Sequence, residues 1–439
     1  FEIKNGFGKK DKSFIEFGFR KKINDSIVNS SLENVNYSDS YFIDSQLLNG
    51  DNSKLNVYIN QNKLVSKLNN RSDNYLNTRL IYNQKILKNI INSNLFYETN
   101  SGNLPQQEYT FLEVEPGLGS YKWIDVNENN IQELEEFELA IFEDEGRYIR
   151  VLLPNQIFIK TYQNKLNYSL GLNFSKLKNS NSKLQNLISR FSNQFQYSID
   201  KKTNLDTNPE IEINPFKLEK DNLLAYSYNL KNILYINKSK QKYSAIFTFS
   251  ENESKNNFSF GSTRNSQNYK RVNLIHKANE VYLIEFVANK ERSSSSSENY
   301  LEKNYILEKE QLNPTITYLA GKNNRINFLY KLSKINNLLG NQEFLNQKQF
   351  GLSVFLNQKQ NRGFVSEFNY FKNEFNGNIN SIISYVMMNG LQDGENYTWS
   401  VRFQQKISKL LDLNFVYYGR KSENSRTIHN GSIQLKAIF

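Results

Sequence analysis

The sequence predicts an all-β chain that crosses a membrane as an antiparallel up-and-down β-barrel of about 16 or more strands, with a small acidic calcium-loop insert. Three observations carry this. Apolar and polar residues alternate along most of the chain, as strands with one greasy and one wet face require. Aromatics reach 14%, with 27 Tyr and 31 Phe, although hydrophobic residues make up only 38%. A disordered polar chain carries few aromatics, whereas a barrel spanning a bilayer is aromatic-rich yet polar on average. Finally, no run approaches the 18 or so consecutive apolar residues of a membrane-spanning helix, so any crossing is made by strands.

Residues 1–115 form an N-terminal β-rich region, read either as barrel strands or as a soluble β module. "SFIEFGF" aligns Ile15, Phe17 and Phe19 on one face, and "KLNVYIN" aligns Leu55, Val57 and Ile59. The alternation breaks at "QKILKNIINSN", which fits a short helix.

Residues 116–155 form an acidic insert. Nine carboxylates and no Lys or Arg fall between Asp125 and Glu145, in a chain whose net charge is +11. In "DVNENNIQELEE", Asp125, Asn127 and Asn129 occupy loop positions 1, 3 and 5, Ile131 offers its backbone carbonyl at 7, Glu133 lies at 9 and Glu136 at 12. That spacing wraps oxygen ligands around a calcium ion, with the last Glu bidentate. Asn130 stands where Gly is usual, and Asn tolerates the left-handed conformation needed there. Asn in place of Asp at two ligand positions lowers the site's charge. The competing reading is an Asn-rich acidic turn, capped by Asp125, before a short helix in "IQELEEFELAIF".

Residues 156–439 form the barrel. Leu166, Tyr168, Leu170, Leu172 and Phe174 share one face; so do Ile326, Phe328, Tyr330 and Leu332, then Phe350, Leu352, Val354 and Leu356. Tyr397, Trp399, Val401 and Phe403 oppose Thr398, Ser400 and Arg402, while Leu411, Leu413, Phe415 and Tyr417 oppose Asp412, Asn414 and Arg420. Roughly sixteen such runs follow residue 156, at a spacing near 17 residues, longer than the strand repeat of about 8–12 in sandwiches. "NQKQNRG", "NEFNGN", "GLQDGEN" and "GKNNR" supply the Gly and Asn of hairpin turns. The last strand sets Ile433, Leu435, Ala437 and Phe439 against Ser432, Gln434 and Lys436.

A closing strand that ends in an aromatic residue resembles the terminal signature of bacterial outer-membrane barrel proteins. "YKWIDVNENNIQELEEFELAIFEDEGRYIRV" followed by "KTYQNKLNYSLGLNF", together with the closing "GLQDGENYTWSVRFQQKIS" and "YYGRKSENSRTIHNGSIQLKAIF", resembles segments of large, mostly uncharacterised outer-membrane proteins of Bacteroidota. There the segment precedes a C-terminal barrel, which implies an integral outer-membrane location and no particular activity. The N-terminus has neither an initiator Met nor a signal-peptide pattern, so the chain is read as mature or as the C-terminal part of something longer.

Other chemistry is sparse. With 0 Cys and 2 His, thiol catalysis, thiolate zinc sites and a multi-histidine centre are ruled out within the chain. His276 and His429 read as lumen, rim or satisfied polar residues. Lys and Arg are dispersed, so no nucleic-acid partner is expected. "GLG" at Gly117–Gly119 lacks the sequel of a phosphate loop. Carboxylate pairs such as Glu135 with Glu138, or Glu143 with Glu145, have the chemistry for glycoside hydrolysis but sit in a segment explained by calcium or solvation, so no enzyme is expected. The run Ser293–Ser297 reads as a loop tip. The expected work is that of a channel, or of a membrane subunit or scaffold in an envelope transport or assembly machine. A surface-binding protein anchored by the barrel ranks second, an enzyme third. Partners are outer-membrane lipid and lipopolysaccharide, with other envelope proteins. The insert or the N-terminal region is the candidate plug.

Overall fold

The computed structural model describes residues 1–28, 30–67, 71–105, 108–153, 158–177, 182–205, 213–216, 222–238, 242–258, 261–321, 323–358, 362–408 and 410–437. Phe439, the aromatic terminus of the closing strand, lies outside them. Two compact units are distinguished: residues 1–107, 154–234 and 250–262 in one, and residues 108–153, 235–249 and 263–439 in the other.

In the first unit, β1 (Glu2–Gly8), β2 (Phe14–Val28), β3 (Ser31–Asn49), β4 (Ser53–Ser66), β5 (Arg71–Ile86) and β6 (Ile91–Pro105) pair antiparallel in succession. β6 then pairs with β11 (Phe158–Asn173), and β11 with β12 (Phe191–Asn204), the short helix α1 (Lys183–Ile188) lying between them in sequence. The N-terminal strands are thus hydrogen-bonded to the strand that follows the insert. Register explains the match: Leu80, Tyr97, Leu166 and Ile199 are opposed across β5, β6, β11 and β12, and so are Tyr82, Leu95, Tyr168 and Tyr197. Two apolar rows therefore run across four strands, the arrangement that fixes register when the side-chain period is two. The helix expected in "QKILKNIINSN" is absent. Leu87, Lys88 and Asn89 have φ of 52°, 54° and 68°, and three successive left-handed residues reverse the chain between β5 and β6 where a helix would need negative φ. β13 (Leu223–Ile236) follows, and β14 (Tyr243–Phe258) is divided between the two units, its residues up to 249 belonging to the second.

The second unit is a nine-strand meander: β15 (Gly261–Lys277), β16 (Tyr282–Ser297), β17 (Tyr305–Leu319), β18 (Arg325–Asn337), β19 (Phe344–Gln358), β20 (Arg362–Asn376), β21 (Gly394–Ser408), β22 (Leu411–Ser422) and β23 (Ile428–Ala437). Every consecutive pair is antiparallel. Thirteen long strands thus follow residue 156 among the described residues, fewer than the roughly sixteen runs expected there, because some alternating stretches belong to one strand and others to connections. The first six strands bring the long ones to nineteen. Ser293–Ser297 is not a loop tip: it pairs with Thr263–Gln267 as the end of β16.

The two faces of this meander are inverted relative to a water-soluble sheet. Phe328, Phe350, Phe368 and Ile433 are 54%, 52%, 45% and 73% exposed, whereas Ser333, Gln347 and Asn373 on the opposite face are 3%, 5% and 2% exposed. The buried amides bond to one another, with Gln347 Nε2 donating to Asn373 Oδ1 at 3.0 Å and Gln349 Nε2 to Asn369 Oδ1 at 2.9 Å. Water does not tolerate so extensive an apolar face, whereas hydrocarbon does. His429 lies on the apolar face, its Nδ1 2.8 Å from the Tyr417 hydroxyl, and His276 Nδ1 lies 2.9 Å from the Lys242 carbonyl; both are satisfied polar residues.

Between β6 and β11 the chain leaves the meander and makes a small sheet of its own from β7 (Glu108–Glu113), β8 (Tyr121–Trp123), β9 (Phe137–Leu139) and β10 (Tyr148–Leu153). It begins eight residues before the position 116 expected for the insert. "IQELEEFELAIF" forms a single 3-10 turn at Leu134–Glu136 and then β9, because Phe137 is drawn into the sheet's aromatic core, where it stacks on Phe111 at 4.1 Å and meets Tyr148 edge-on at 4.9 Å. Two glycines close this sheet by backbone contact: a Cβ on Gly146 would lie 2.1 Å from the Gly119 carbonyl oxygen. Gly146→Ala is therefore expected to destabilise the insert by about 1–3 kcal/mol, measured as faster trypsin cleavage inside it with the strands intact.

Candidate functional site: the docked acidic insert

The insert is held against the polar face of the second unit at one end of its strands. Part of the contact is apolar. Leu307, Ile335 and Leu345, from the polar face of β17, β18 and β19, form a buried cluster with Ile382, Ile383, Met387 and Met388 of helix α2 (Ile382–Met388). Ile124, Val126 and Phe142 of the insert pack against it. Leu345 has no exposed surface, and Met387 and Met388 are 1% exposed. α2 lies between the hairpin tokens "NEFNGN" and "GLQDGEN". Sequence reading missed it, although "SIISYVMMNG" carries a stop and a start: the Ser381 hydroxyl accepts from Ser384 N at 3.1 Å, and Asn389 has φ of 53°. Those are an N-cap and a left-handed C-terminal residue.

The rest of the contact is ionic, and it uses the carboxylates that make the segment unusual. Arg420, on the polar face of β22, donates to Asp144 Oδ2 at 2.7 Å and Glu145 Oε1 at 3.1 Å. Its guanidinium lies 4.0 Å from the Phe142 ring centroid. Glu145 Oε2 also accepts from the Tyr385 hydroxyl at 2.6 Å and lies 3.5 Å from Lys122 Nζ, which sits 3.4 Å from the Tyr385 ring centroid. Burial pushes the Lys122 ammonium below its ordinary pKa, with Glu145 pulling the other way. Burial and then the Glu145 carboxylate push the Tyr385 phenol up, so it stays a donor. The Tyr418 hydroxyl donates to Glu143 Oε2 at 2.7 Å. On the other flank, Ser297 Oγ donates to Glu135 Oε2 at 2.9 Å, Lys303 pairs with Glu138 at 2.5 Å and also donates to the Glu135 carbonyl, and the Tyr300 hydroxyl donates to Glu133 Oε2 at 2.7 Å. Each carboxylate considered for glycoside hydrolysis, Glu135, Glu138, Glu143 and Glu145, is therefore bound to a docking partner.

The expected calcium ligands are placed as follows. Asp125 turns both oxygens into the loop, accepting from Asn129 N at 3.2 Å and Asn130 N at 2.8 Å. Asn127 Oδ1 accepts from Asn129 N at 3.1 Å, and Asn129 Oδ1 from Ile131 N at 2.7 Å. Asn130 is left-handed, with φ of 57°. Glu133 and Glu136 are taken up in other hydrogen bonds. Glu133 is shared between Asn127 Nδ2 at 2.8 Å and the Tyr300 hydroxyl. Glu136 has no exposed surface and accepts from Trp123 Nε1 at 2.7 Å, Val126 N at 3.1 Å and Glu133 N at 3.4 Å. Among the described residues no group of three or more acidic, His or Cys side chains is placed to hold a metal ion. The side-chain oxygens of Asp125, Asn127 and Asn129 are thus turned onto the loop's own backbone N–H groups, while Glu133 and Glu136 brace the fold.

No protein-family model matches the chain, and no curated protein matches it. Among solved structures it is similar to the FrpB iron transporter from Neisseria meningitidis (F3-3 variant), with 10% identity, a TM-score of 0.38 and coverage of 95% of this chain and 66% of that one. The chain thus spans just under two thirds of that transporter's length. It is also similar to Pseudomonas aeruginosa OccK5 (OpdH), with 11% identity, a TM-score of 0.36 and 98% of each chain covered. A third is OmpTdeltaL8, a loop-deletion mutant of the outer membrane protein OmpT of Vibrio cholerae, with 8% identity, a TM-score of 0.32 and coverage of 92% and 98%. Likenesses this low leave the functional reading to the chain's own residues, which define an all-β antiparallel meander with an exposed apolar face and an acidic insert on its polar face.

Proposed function

We propose that the chain is an integral outer-membrane β-barrel in which the acidic insert, with α2, plugs the polar interior at one end. It acts as a gated channel or as the membrane subunit of an envelope transport or assembly machine. The observation that carries this is the docking of a folded, carboxylate-rich sheet on the polar face of strands whose other face is exposed and apolar. A barrel of this many strands leaves a wide interior, which something must fill or traverse. The resemblance of the insert and closing strands to outer-membrane proteins of Bacteroidota supports the same location. No catalytic role is assigned. Fractionation tests the location: the chain is expected in the outer-membrane fraction, resistant to extraction by alkali, and a soluble periplasmic chain would defeat the reading.

Calcium belongs to this proposal as a brace. Asp125, Asn127, Asn129 and the Ile131 carbonyl would hold it, with Glu133 and Glu136 joining only by giving up their present donors. Calcium at about millimolar concentration is expected to raise the melting temperature of the insert in the wild type and not in Asp125→Ala. An equal response in both would remove calcium from the account.

A further inference from the structure

On the apolar face of the second unit, Tyr330, Phe350, Tyr370 and Tyr397 are directly opposed across β18 to β21. Their ring centroids are 4.6, 6.3 and 5.2 Å apart, so they form a continuous aromatic row. Toward the strand ends that hold the insert, this face changes from rings to lysines. Lys270, Lys290, Glu310 and Lys334 are opposed in one row across β15 to β18. Lys348 faces Lys372 across β19 and β20, each two residues beyond the aromatic row, and Lys421 faces Tyr397. All six lysines are exposed. The carboxylates on this part of the face are Glu310, which pairs with Lys290 at 2.8 Å, Glu308, which pairs with Arg292 at 3.6 Å, Glu374 in the row of Lys334, and Glu395, which lies opposite Lys372 and accepts from the Tyr370 and Tyr397 hydroxyls at 3.2 and 3.0 Å, so the cations still outnumber them. At the opposite border the same face carries Tyr282, Tyr318, Ile326, Phe364 and Leu411, with Arg362 the one cation on it there among the described residues.

From this asymmetry we propose that the lysine belt binds the phosphate groups of anionic lipid headgroups in one leaflet, and so sets which way the protein faces. The inference rests on the membrane-barrel reading above. Aromatic side chains gather at the level where hydrocarbon meets headgroups. A lysine one step beyond buries its stem along that boundary and presents its ammonium to the phosphate layer. Beside an anionic surface each such lysine favours binding by up to about fivefold. With a cation-poor border at the other end, the two ends see different headgroups, and the insert is docked at the anionic one.

The test reconstitutes the whole chain into nanodiscs of equal phosphatidylcholine and phosphatidylglycerol, then measures by mass spectrometry the lipids retained after mild detergent extraction. Folding is read separately, as heat-modifiable migration on gels. The wild type is expected to retain phosphatidylglycerol over phosphatidylcholine, and to lose most of that preference in the quadruple variant Lys290→Gln/Lys334→Gln/Lys348→Gln/Lys372→Gln. If the variant does not fold, the salt dependence of wild-type retention decides, because a preference held by exposed charges falls as salt screens them. A folded wild type with no preference, or one insensitive to both changes, overturns the belt. A wild type that folds into no bilayer overturns the membrane reading first.

Discussion

Arg420→Ala is expected to release the insert. The guanidinium is the one group that holds Asp144 and Glu145 together from the strand side, and all three side chains are no more than 21% exposed. Removing it deletes two charge-assisted hydrogen bonds, leaves Asp144 without a cation and leaves Glu145 with Lys122 alone. Such a loss costs about 2–3 kcal/mol, which shifts the docked equilibrium by roughly 30- to 150-fold. Arg420→Lys is expected to recover only part of this, because both bonds come from Nη2 alone, which an ammonium can replace, whereas the planar guanidinium over the Phe142 ring is lost. Limited trypsin digestion reads this through the cleavable residues of the insert itself, Lys122, Arg147 and Arg150. They should be protected in the wild type and cut first in the variant, while the strands stay resistant.

Leu345→Ala is expected to have an effect at least as large on the same contact through its apolar half. Leu345 is fully buried beneath Met387 and Met388, and truncating such a side chain costs about 2–5 kcal/mol. The chain has 2 Trp, Trp123 in the insert and Trp399 in β21. In a Trp399→Phe background, Trp123 reports on the insert alone, since its indole donates to the buried Glu136 carboxylate. Denaturant titration should show Trp123 losing its protected environment earlier in Leu345→Ala than in the wild type. Unchanged midpoints would mean that α2 and the insert are stabilised independently of the strand face.

Much of the strand architecture was legible because period-two alternation is a local signal. Leu166 to Leu172, Ile326 to Leu332 and Tyr397 to Phe403 are readable one strand at a time, and the pairing registers then align their faces, whereas Phe174 falls just past its strand in a 3-10 turn. The acidic segment was also legible as an interruption, since nine carboxylates without a cation stand out in a basic chain. Its purpose was harder to see. The partners of Glu143, Asp144 and Glu145 are Tyr418, Arg420 and Tyr385, some 240 to 276 residues away, and no local pattern brings such residues together. Arg420 reads from sequence as one more polar-face residue of a strand. The helix α2 was hidden between two strong turn signals, and the hairpin at Leu87–Asn89 was masked by Leu and Ile at helical spacing. Glu136 shows the limit of spacing as a guide: its offset from Asp125 is that of a calcium ligand, while its oxygens are taken by Trp123 and the backbone.

Single-channel conductance in planar bilayers tests the central claim most directly, comparing the wild type with Arg420→Ala and with a chain whose residues 108–153 are replaced by a short flexible linker. A docked plug predicts small or no conductance for the wild type, intermittent openings for Arg420→Ala and a large, steady conductance for the chain without the insert. Equal conductance in all three folded proteins would contradict the account, because the insert would then not stand in the path.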